Sequence, residues 1–214
     1  MSKYKKLDLQ AALDRDPAAK SKFLIRLTYT GYKAICAYRR AHWFYIHGLK
    51  YTAFVISYLS KIRFGIDIHP AAQIGSGFFI DHGTGVVIGE TTIIGDNVTL
   101  YQQVTLGGTG KGEGKRHPTI GNNVMISSGA KILGPVTIGD HSKIGAGSVV
   151  LKDVPQYSTV VGVPGRIVRM NGQKYVDEMD QKLPDPIKDE ITRLENKIVE
   201  LEEKINKLTG DKNA

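Results

Sequence analysis

Aliphatic residues recur at every sixth position through the middle of this 214-residue chain. They form three in-phase runs of thirteen positions in all: Ile68, Ile74 and Ile80; Ile88, Ile94, Leu100 and Leu106; and Ile120, Ile126, Ile132, Ile138, Ile144 and Val150. Six is not a multiple of the helical period of about 3.6 but is a multiple of the strand period. The pattern predicts a parallel β-helix of hexapeptide repeats over 66–170, with three repeats in each triangular coil.

The repeat is interrupted twice, and both interruptions contain residues that can do chemistry. Two extra residues follow Asp81 and His82, between the first and second runs. Eight extra residues separate the second run from the third, in a Gly-rich segment that ends in Arg116 and His117. A loop of this composition cannot pack inside the coil, so we expect it to protrude.

The N-terminal flank has a helical pattern. Its apolar residues follow helical spacing, and Asp16 before Pro17 has the form of an N-cap followed by proline at the first helical position. We therefore predict an N-terminal helical domain of two to four helices over 1–65. The complete fold class is α+β.

The C-terminal flank has a heptad pattern. After a linker over 171–186, apolar residues alternate spacings of four and three from Ile187 to Leu208, which predicts a coiled-coil helix over 187–209. Its seam either joins chains or folds back on its own domain. Isoleucine at a with leucine at d favours two strands, which conflicts with the threefold assembly considered below.

The formal charge of +8 is located in one part of the chain. Residues 1–63 carry 13 Lys and Arg against 3 Asp and Glu, whereas 64–214 carry 16 against 18. The basic segment is either a solvated helical face or a surface that steers an anionic partner.

The single cysteine, Cys36, excludes an intrachain disulfide. The apolar run 51–59 is too short to span a bilayer, and the first six residues, MSKYKK, lack the apolar stretch of a secretory signal. We therefore expect a cytoplasmic protein that binds neither a membrane nor nucleic acid.

Asp67 and His82 form a candidate catalytic pair. They lie fifteen positions apart, a little less than one coil of eighteen, so they can occupy adjacent levels near one edge of the β-helix. A carboxylate that holds one ring nitrogen of a histidine fixes its tautomer and raises its basicity, as a general base for a hydroxyl requires.

Five segments carry motifs more specific than the repeat itself: DIHPAA (67–72), IDHGTGVVIGET (80–91), VTLGGTGK (104–111), RHP (116–118) and GVPGR (162–166). Through them the chain resembles serine O-acetyltransferase over about residues 14 to 168. The resemblance implies a left-handed β-helix. It also implies acetyl transfer from acetyl-CoA to the hydroxyl of L-serine, which gives O-acetyl-L-serine and CoA for cysteine biosynthesis.

The resemblance also implies a role for each matching residue. His82 becomes the general base and Asp67 its orienting partner. Arg116 and His117 are expected to bind the serine carboxylate. Asp16 and Asp81 are expected to bind the serine ammonium. Acetyl-CoA is expected between two subunits of a homotrimer, with no metal, near Gly108, Ser128, Lys143 and Ala146. L-Cysteine is expected to inhibit by competing at the serine site.

Two departures from the family limit the expected partners. The N-terminal helical region is about half the size of that in longer members, so we expect a trimer, with a dimer of trimers as the alternative. The chain ends in Asp211-Lys212-Asn213-Ala214 rather than in isoleucine, so the complex with the next enzyme of the pathway, the cysteine synthase complex, is not expected.

Three other functions remain open from the residues. A hexapeptide acyltransferase for a sugar or antibiotic hydroxyl would use the same base. A zinc hydratase of the γ-carbonic-anhydrase kind would draw its ligands from His69, His82, His117 and His141. The third alternative is a non-catalytic coiled-coil scaffold.

Overall fold

The computed structural model describes residues 2–110, 112, 114–174, 193–202 and 204. The chain forms two compact units, Met1–Tyr175 and Val176–Ala214. All the helices and strands that carry the candidate site belong to the first unit.

Four helices occupy the N-terminal part of the first unit: α1 (Ser2–Arg15), α2 (Lys22–Thr28), α3 (Thr30–Ile46) and α4 (Lys50–Phe64). Helix α2 begins after Ser21, whose hydroxyl accepts a hydrogen bond from the Leu24 N–H at 3.1 Å. Helix α4 ends at Gly65, whose φ of 67° is the left-handed conformation typical of a helix C-terminus. No helix in the described part of the chain is both long and apolar enough to cross a membrane.

The prediction that Asp16 begins a helix is wrong. Residues 17–21 are not helical, and the next helix starts at Lys22 with Ser21 as its cap. The Asp16 carboxylate instead accepts a hydrogen bond from the Ala18 N–H at 2.8 Å and so closes a local turn. An aspartate stabilises such a turn by the same bond that it makes at a helix start, so the motif does not distinguish the two.

The repeat region forms a three-sided parallel β-helix. Its strands are β1 (Asp67–Ile68), β2 (Gln73–Ile74), β3 (Phe79–Ile80), β4 (Val87–Ile88), β5 (Ile93–Ile94), β6 (Thr99–Leu100), β7 (Thr105–Gly107), β8 (Thr119–Ile120), β9 (Met125–Ile126), β10 (Lys131–Leu133), β11 (Thr137–Ile138), β12 (Lys143–Ile144) and β13 (Val149–Val150). Sheet 1 has the order β1-β4-β7-β10-β13, sheet 2 contains β2-β5-β8-β11, and sheet 3 contains β3-β6-β9-β12. The predicted fold class is confirmed.

The six-residue columns form the core. In sheet 1, Ile68 pairs with Ile88 and Leu106 pairs with Ile132, so aliphatic side chains stack from coil to coil. All thirteen predicted aliphatic positions are buried. Because sheet pairing continues across both interruptions, from β1 to β4 and from β5 to β8, the extra residues leave the coil without changing its register.

Sheet 3 continues beyond the repeats. Strand β14 (Ser158–Val161) pairs in parallel with β12, and β15 (Arg166–Met170) and β16 (Gln173–Lys174) follow in antiparallel order. Residues 171–174, at the start of the predicted linker, therefore belong to the last hairpin. The predicted domain boundaries stay a prediction.

Helix α3 packs directly on the first coil. Its Ala34, Ile35 and Tyr38 belong to the same buried cluster as the aliphatic columns. A Cβ at Gly31 would lie 2.1 Å from the carbonyl oxygen of Ile80, so only glycine allows this close approach between α3 and β3. The approach places the start of α3 beside the turn that carries Asp81 and His82.

Only part of the predicted coiled-coil helix lies within the described residues. Residues 193–202 and 204 are helical, and the rest of 187–209 lies outside them. On this helix Leu194, Ile198 and Leu201 are each at least half exposed.

Candidate functional site

One edge of the β-helix, where the chain passes from sheet 3 to sheet 1, carries several of the predicted site residues. We call it the first edge. Its turns are stacked by backbone hydrogen bonds, from Gln103 N–H to Thr84 O at 2.9 Å and from Gly147 N–H to Ser128 O at 2.8 Å. This stacking aligns the turn that contains His82 with the turns that contain Ser128 and Ala146.

The two-residue interruption shapes the turn of Asp81 and His82. His82 has a φ of 58°, and the Gly83 N–H donates to the carbonyl of Asp81 at 2.6 Å. The Thr30 hydroxyl donates to the His82 carbonyl at 3.2 Å, so the beginning of α3 holds this turn. The His82 side chain is exposed, which leaves its ring accessible to a ligand.

Asp16 lies over the same edge. The Tyr29 hydroxyl donates to its carboxylate at 2.5 Å. This hydrogen bond, together with partial burial and the charges of Asp16 and Asp81, raises the pKa of Tyr29 to about 12. The charges of both aspartates therefore affect the Tyr29 hydroxyl. The structure thus brings Asp16, Tyr29, Asp81 and the His82 turn together.

Asp67 is the first residue of β1 and pairs with a lysine. Its carboxylate lies 2.7 Å from the Lys61 Nζ of α4, and both side chains are partly exposed. The carboxylate raises the pKa of Lys61 by hydrogen bonding and charge. Asp67 also lines a cavity of about 430 Å³ with Lys61 and Tyr58 at the first edge. The pairing of Asp67 with His82 stays a prediction.

Arg116 and His117 lie at a different edge, where the chain passes from sheet 1 to sheet 2, which we call the second edge. Arg116 pairs with Glu90 at 3.1 Å between Nη2 and Oε2. His117 is 8% exposed, and its ring occupies the space that a Cβ at Gly89 would need. Burial and the neighbouring Arg116 charge lower the pKa of His117, so it is a neutral imidazole near pH 7.

Lys115 anchors the end of the protruding loop at the second edge. Its Nζ donates to the carbonyl oxygens of Thr91 at 2.6 Å and Pro118 at 3.1 Å. Burial lowers the pKa of Lys115. The protruding loop therefore joins the β-helix through a segment, held by Lys115, that carries Arg116 and His117.

Comparisons with known proteins agree with this architecture. The family described as bacterial transferase hexapeptide (six repeats) matches residues 117–152. The chain is 54% identical to the serine acetyltransferase of Bacillus pumilus, over 97% of this chain and 96% of the relative. It is 56% identical to the serine acetyltransferase of Bacillus subtilis, over 92% and 91%.

The chain belongs to the serine acetyltransferase family.

Solved structures of serine acetyltransferases have the same fold. The Vibrio cholerae enzyme aligns with a TM-score of 0.78 at 45% identity, covering 84% of this chain and 68% of that one. The soybean enzyme complexed with serine aligns with a TM-score of 0.76 at 49% identity, covering 78% and 68%. A serine acetyltransferase in complex with cysteine aligns with a TM-score of 0.77 at 46% identity, covering 78% and 69%.

Four residues are expected to bind acetyl-CoA from the resemblance to serine acetyltransferases. They are distributed over the surface of the β-helix. Ser128 and Ala146 lie at the first edge, and Gly108 lies exposed at the second edge. Lys143 is exposed on β12 of sheet 3. None of the four lines the cavities of about 580, 430 and 310 Å³ found in the described part of the chain.

Of the histidines named for a zinc hydratase, His69 and His117 lie at the second edge, His82 lies at the first edge, and His141 lies between sheets 2 and 3. His69 packs edge-on against Phe54, with ring centroids 5.4 Å apart, and His141 stacks on Tyr157 at 4.7 Å. Within the described residues, no group of three or more His, Cys, Asp or Glu side chains could hold a metal ion. The relatives reported above are serine acetyltransferases, and they favour a serine acceptor over a sugar or an antibiotic.

Sequence reasoning missed two residues of the candidate site. Tyr29 contacts Asp16, and Thr91 contacts both Arg116 and His117. Thr91 is the last residue of the motif at 80–91, and that position was a usable signal. No signal in the sequence pointed to Tyr29, because the helical pattern around it does not predict that it lies at the β-helix edge.

Proposed function

We propose that this chain transfers an acetyl group from acetyl-CoA to the hydroxyl of L-serine. His82 takes the hydroxyl proton as the serine oxygen bonds to the thioester carbon. The carbon–sulfur bond then breaks, the CoA sulfur takes a proton, and the products are O-acetyl-L-serine and CoA. This product supplies the three-carbon unit for cysteine biosynthesis, a cytoplasmic pathway.

The arrangement of Asp16, Asp81 and His82 over the first edge is the observation that carries the proposal. Two carboxylates beside an accessible histidine suit a free amino acid, whose ammonium needs anionic partners close to its reacting hydroxyl. A sugar hydroxyl has no cationic neighbour that would require them. The helical segment supplies Asp16, so folding of α1 and α3 onto the first coil builds this half of the site.

A homotrimer completes the site in this proposal. The ammonium side and the base lie at the first edge, whereas Arg116 and His117, assigned to the carboxylate, lie at the second. A neighbouring subunit that presents its second edge to the first edge of this chain brings both halves to one serine. Acetyl-CoA then lies in the groove between the two subunits, along the turns of Ser128 and Ala146.

L-Cysteine is the proposed inhibitor of the same site. It has the ammonium and carboxylate of serine and differs at the side-chain atom, where sulfur replaces oxygen. Complexes with serine and with cysteine are known for relatives of this chain. The residues assigned to the two charged groups of serine therefore serve cysteine equally.

Replacement of His82 tests the proposed base. His82 and His141 are both exposed turn residues with φ near 60°, so asparagine, which tolerates that conformation, is a suitable replacement at either position. We expect His82→Asn to lower kcat roughly 10²–10⁴-fold in a thiol-release assay with acetyl-CoA and L-serine. His141→Asn serves as the matched control and keeps the kcat of the unsubstituted protein.

Two measurements make this result specific. Calorimetric titration is expected to show that His82→Asn still binds acetyl-CoA, which separates loss of the base from loss of the fold. Unchanged turnover in His82→Asn would refute the assignment of the base. Failure of the unsubstituted protein to release thiol with serine would refute the proposed reaction.

A further inference from the structure

Thr91 makes an unusual set of hydrogen bonds at the second edge. Its hydroxyl oxygen accepts from the backbone N–H groups of Arg116 and His117, each at 3.1 Å. The same oxygen lies 2.9 Å from the Nδ1 of His117, and the Thr91 backbone N–H lies 3.2 Å from that nitrogen. One residue therefore contacts the His117 ring and the backbone of both residues assigned to the carboxylate.

The proton positions follow from this set. A hydroxyl has two lone pairs and one proton. With both lone pairs occupied by backbone donors, the Thr91 hydroxyl can only donate to Nδ1, and the Thr91 N–H donates to the same nitrogen. Nδ1 of His117 must therefore be an acceptor without a proton, and the ring carries its proton on Nε2.

We propose that Thr91 is a positioning residue that holds His117 as a neutral imidazole with its proton on Nε2. His117 then meets the substrate carboxylate as an uncharged hydrogen-bond donor, and Arg116 alone supplies the positive charge. This inference rests on the proposed function for the identity of the carboxylate, but the protonation of the ring stands on the geometry.

The surroundings of the ring agree with this assignment. A Cβ at Gly89 would lie 2.1 Å from Nε2, and a Cβ at Gly108 would lie 3.1 Å from it, so two glycines make room for this end of the ring. Nε2 has no hydrogen-bond partner among the described residues, whereas Nδ1 has two donors. The ring thus presents its proton on the side where the protruding loop begins.

The charges around His117 oppose a second proton. Burial is the largest influence, followed by Arg116, and the weaker effects of Lys115 and His69 act in the same direction. Glu90 acts in the opposite direction, but it is already paired with Arg116. All of these groups together lower the pKa of His117, so the neutral form persists below the ordinary histidine pKa of about 6.5.

Nuclear magnetic resonance of protein with ¹⁵N-labelled histidine tests the protonation directly. The signals of His117 are identified as those absent from a His117→Gln variant. We expect the unsubstituted protein at pH 7 to show a neutral ring with Nε2 protonated and Nδ1 unprotonated. A ring protonated on Nδ1, or on both nitrogens, would overturn the proposal, and this measurement needs no Thr91 variant to fold.

Two Thr91 variants test the part played by the hydroxyl. Thr91→Val removes it at nearly constant shape, and Thr91→Ser retains it. In Thr91→Val the backbone N–H of residue 91 still donates to Nδ1 while the hydroxyl bond is lost. We therefore expect a smaller fraction of the Nε2-protonated tautomer rather than its loss, a His117 pKa closer to its ordinary value, and an L-serine KM raised by about three- to tenfold. The KM for acetyl-CoA should change little, and Thr91→Ser should restore both the tautomer and the KM.

The outcomes separate this inference from the proposed function. If Thr91→Val leaves both the Nε2-protonated fraction and the pKa of His117 unchanged, the hydroxyl does not hold the ring and the inference fails. If the tautomer follows Thr91 but the protein does not acetylate serine, the proposed function fails while the role of Thr91 toward His117 stands. If the KM for acetyl-CoA rises as much as that for serine, the variant disturbs the whole site and the positioning role is refuted.

Discussion

Loss of the buried ion pair between Asp8 of α1 and Arg39 of α3 should destabilise the protein and weaken serine binding together. Asp8 is 1% exposed and Arg39 is 8% exposed. Two hydrogen bonds of 3.2 Å join the carboxylate to the guanidinium, and the Phe78 N–H donates to the carboxylate at 3.0 Å. Arg39 also donates to the carbonyls of Ile74 and Gly75, so the pair fixes α1 and α3 to the first coils.

The expected loss of unfolding free energy in Asp8→Ala follows from the buried groups that lose their partner. The Arg39 guanidinium stays buried without its counter-charge, which costs about 3–5 kcal/mol in comparable pairs. The Phe78 N–H also loses its acceptor, which adds about 1 kcal/mol. Because burial raises the pKa of Asp8 even beside Arg39, the pair is not strongly favourable in itself. The double replacement Asp8→Leu with Arg39→Met should therefore cost less than the sum of the single replacements.

The effect on function follows from the position of α1. The helix ends at Arg15, which donates to the Thr99 hydroxyl at 3.0 Å, and Asp16 follows directly. Movement of α1 displaces the Asp16 carboxylate from the first edge and leaves the proposed acetyl-CoA groove unchanged. We expect the KM for L-serine to rise several-fold in Asp8→Ala and the KM for acetyl-CoA to stay within about twofold.

Urea unfolding followed by circular dichroism measures the stability, at one protein concentration because subunit association contributes to it. Glu200→Ala is the control, since it removes an exposed ion pair with Lys204 and should cost under about 0.5 kcal/mol. A loss below about 1 kcal/mol in Asp8→Ala, against the 3–5 expected for a buried pair, would refute the reasoning. Strict additivity in the double variant would do the same.

Two further predictions concern single hydroxyl groups. Thr92 is 1% exposed and its hydroxyl oxygen has no hydrogen-bond partner among the described residues, so Thr92→Val should raise the free energy of unfolding by about 1 kcal/mol in urea titrations. Lower stability would contradict this. Tyr29→Phe removes the hydrogen bond to Asp16 and should raise both the L-serine KM and the cysteine inhibition constant about three- to tenfold, by the same factor. In steady-state kinetics, a change in only one of them would show that the two amino acids do not share Asp16.

The β-helix was predictable because its core repeats. A column of aliphatic side chains can be buried only if successive coils align, so the six-residue period fixes both the strands and their pairing. Ile68 pairs with Ile88 although two extra residues intervene, and Ile94 pairs with Ile120 although eight do. The interruptions could be located from the sequence for the same reason, since the column resumes in phase on the far side of each one.

The contacts of the helical segment were not predictable in this way. Helical periodicity shows which face is apolar but not which surface it covers. The close approach of Gly31 to Ile80, which brings Tyr29 and Asp16 to the first edge, depends on packing between residues distant in sequence. The pairing of Lys61 with Asp67 is of the same kind: α4 precedes β1 in the chain, but only the folded connection decides which carboxylate its lysine meets.

The division of the candidate site between two edges follows from the size of the β-helix. Each side corresponds to one six-residue repeat, and strand residues advance about 3.3 Å each, so adjacent edges are separated by roughly 10–20 Å. The ammonium and carboxylate of serine are bonded to the same carbon atom. Asp81 at the first edge and Arg116 at the second therefore cannot both contact one serine within a single chain unless the protruding loop crosses sheet 1. Lys115 opposes that movement, because it fixes the end of the loop to Thr91. A second edge contributed by another subunit meets the requirement without any movement. In this proposal the trimer is therefore needed to bind serine and not only to stabilise the assembly.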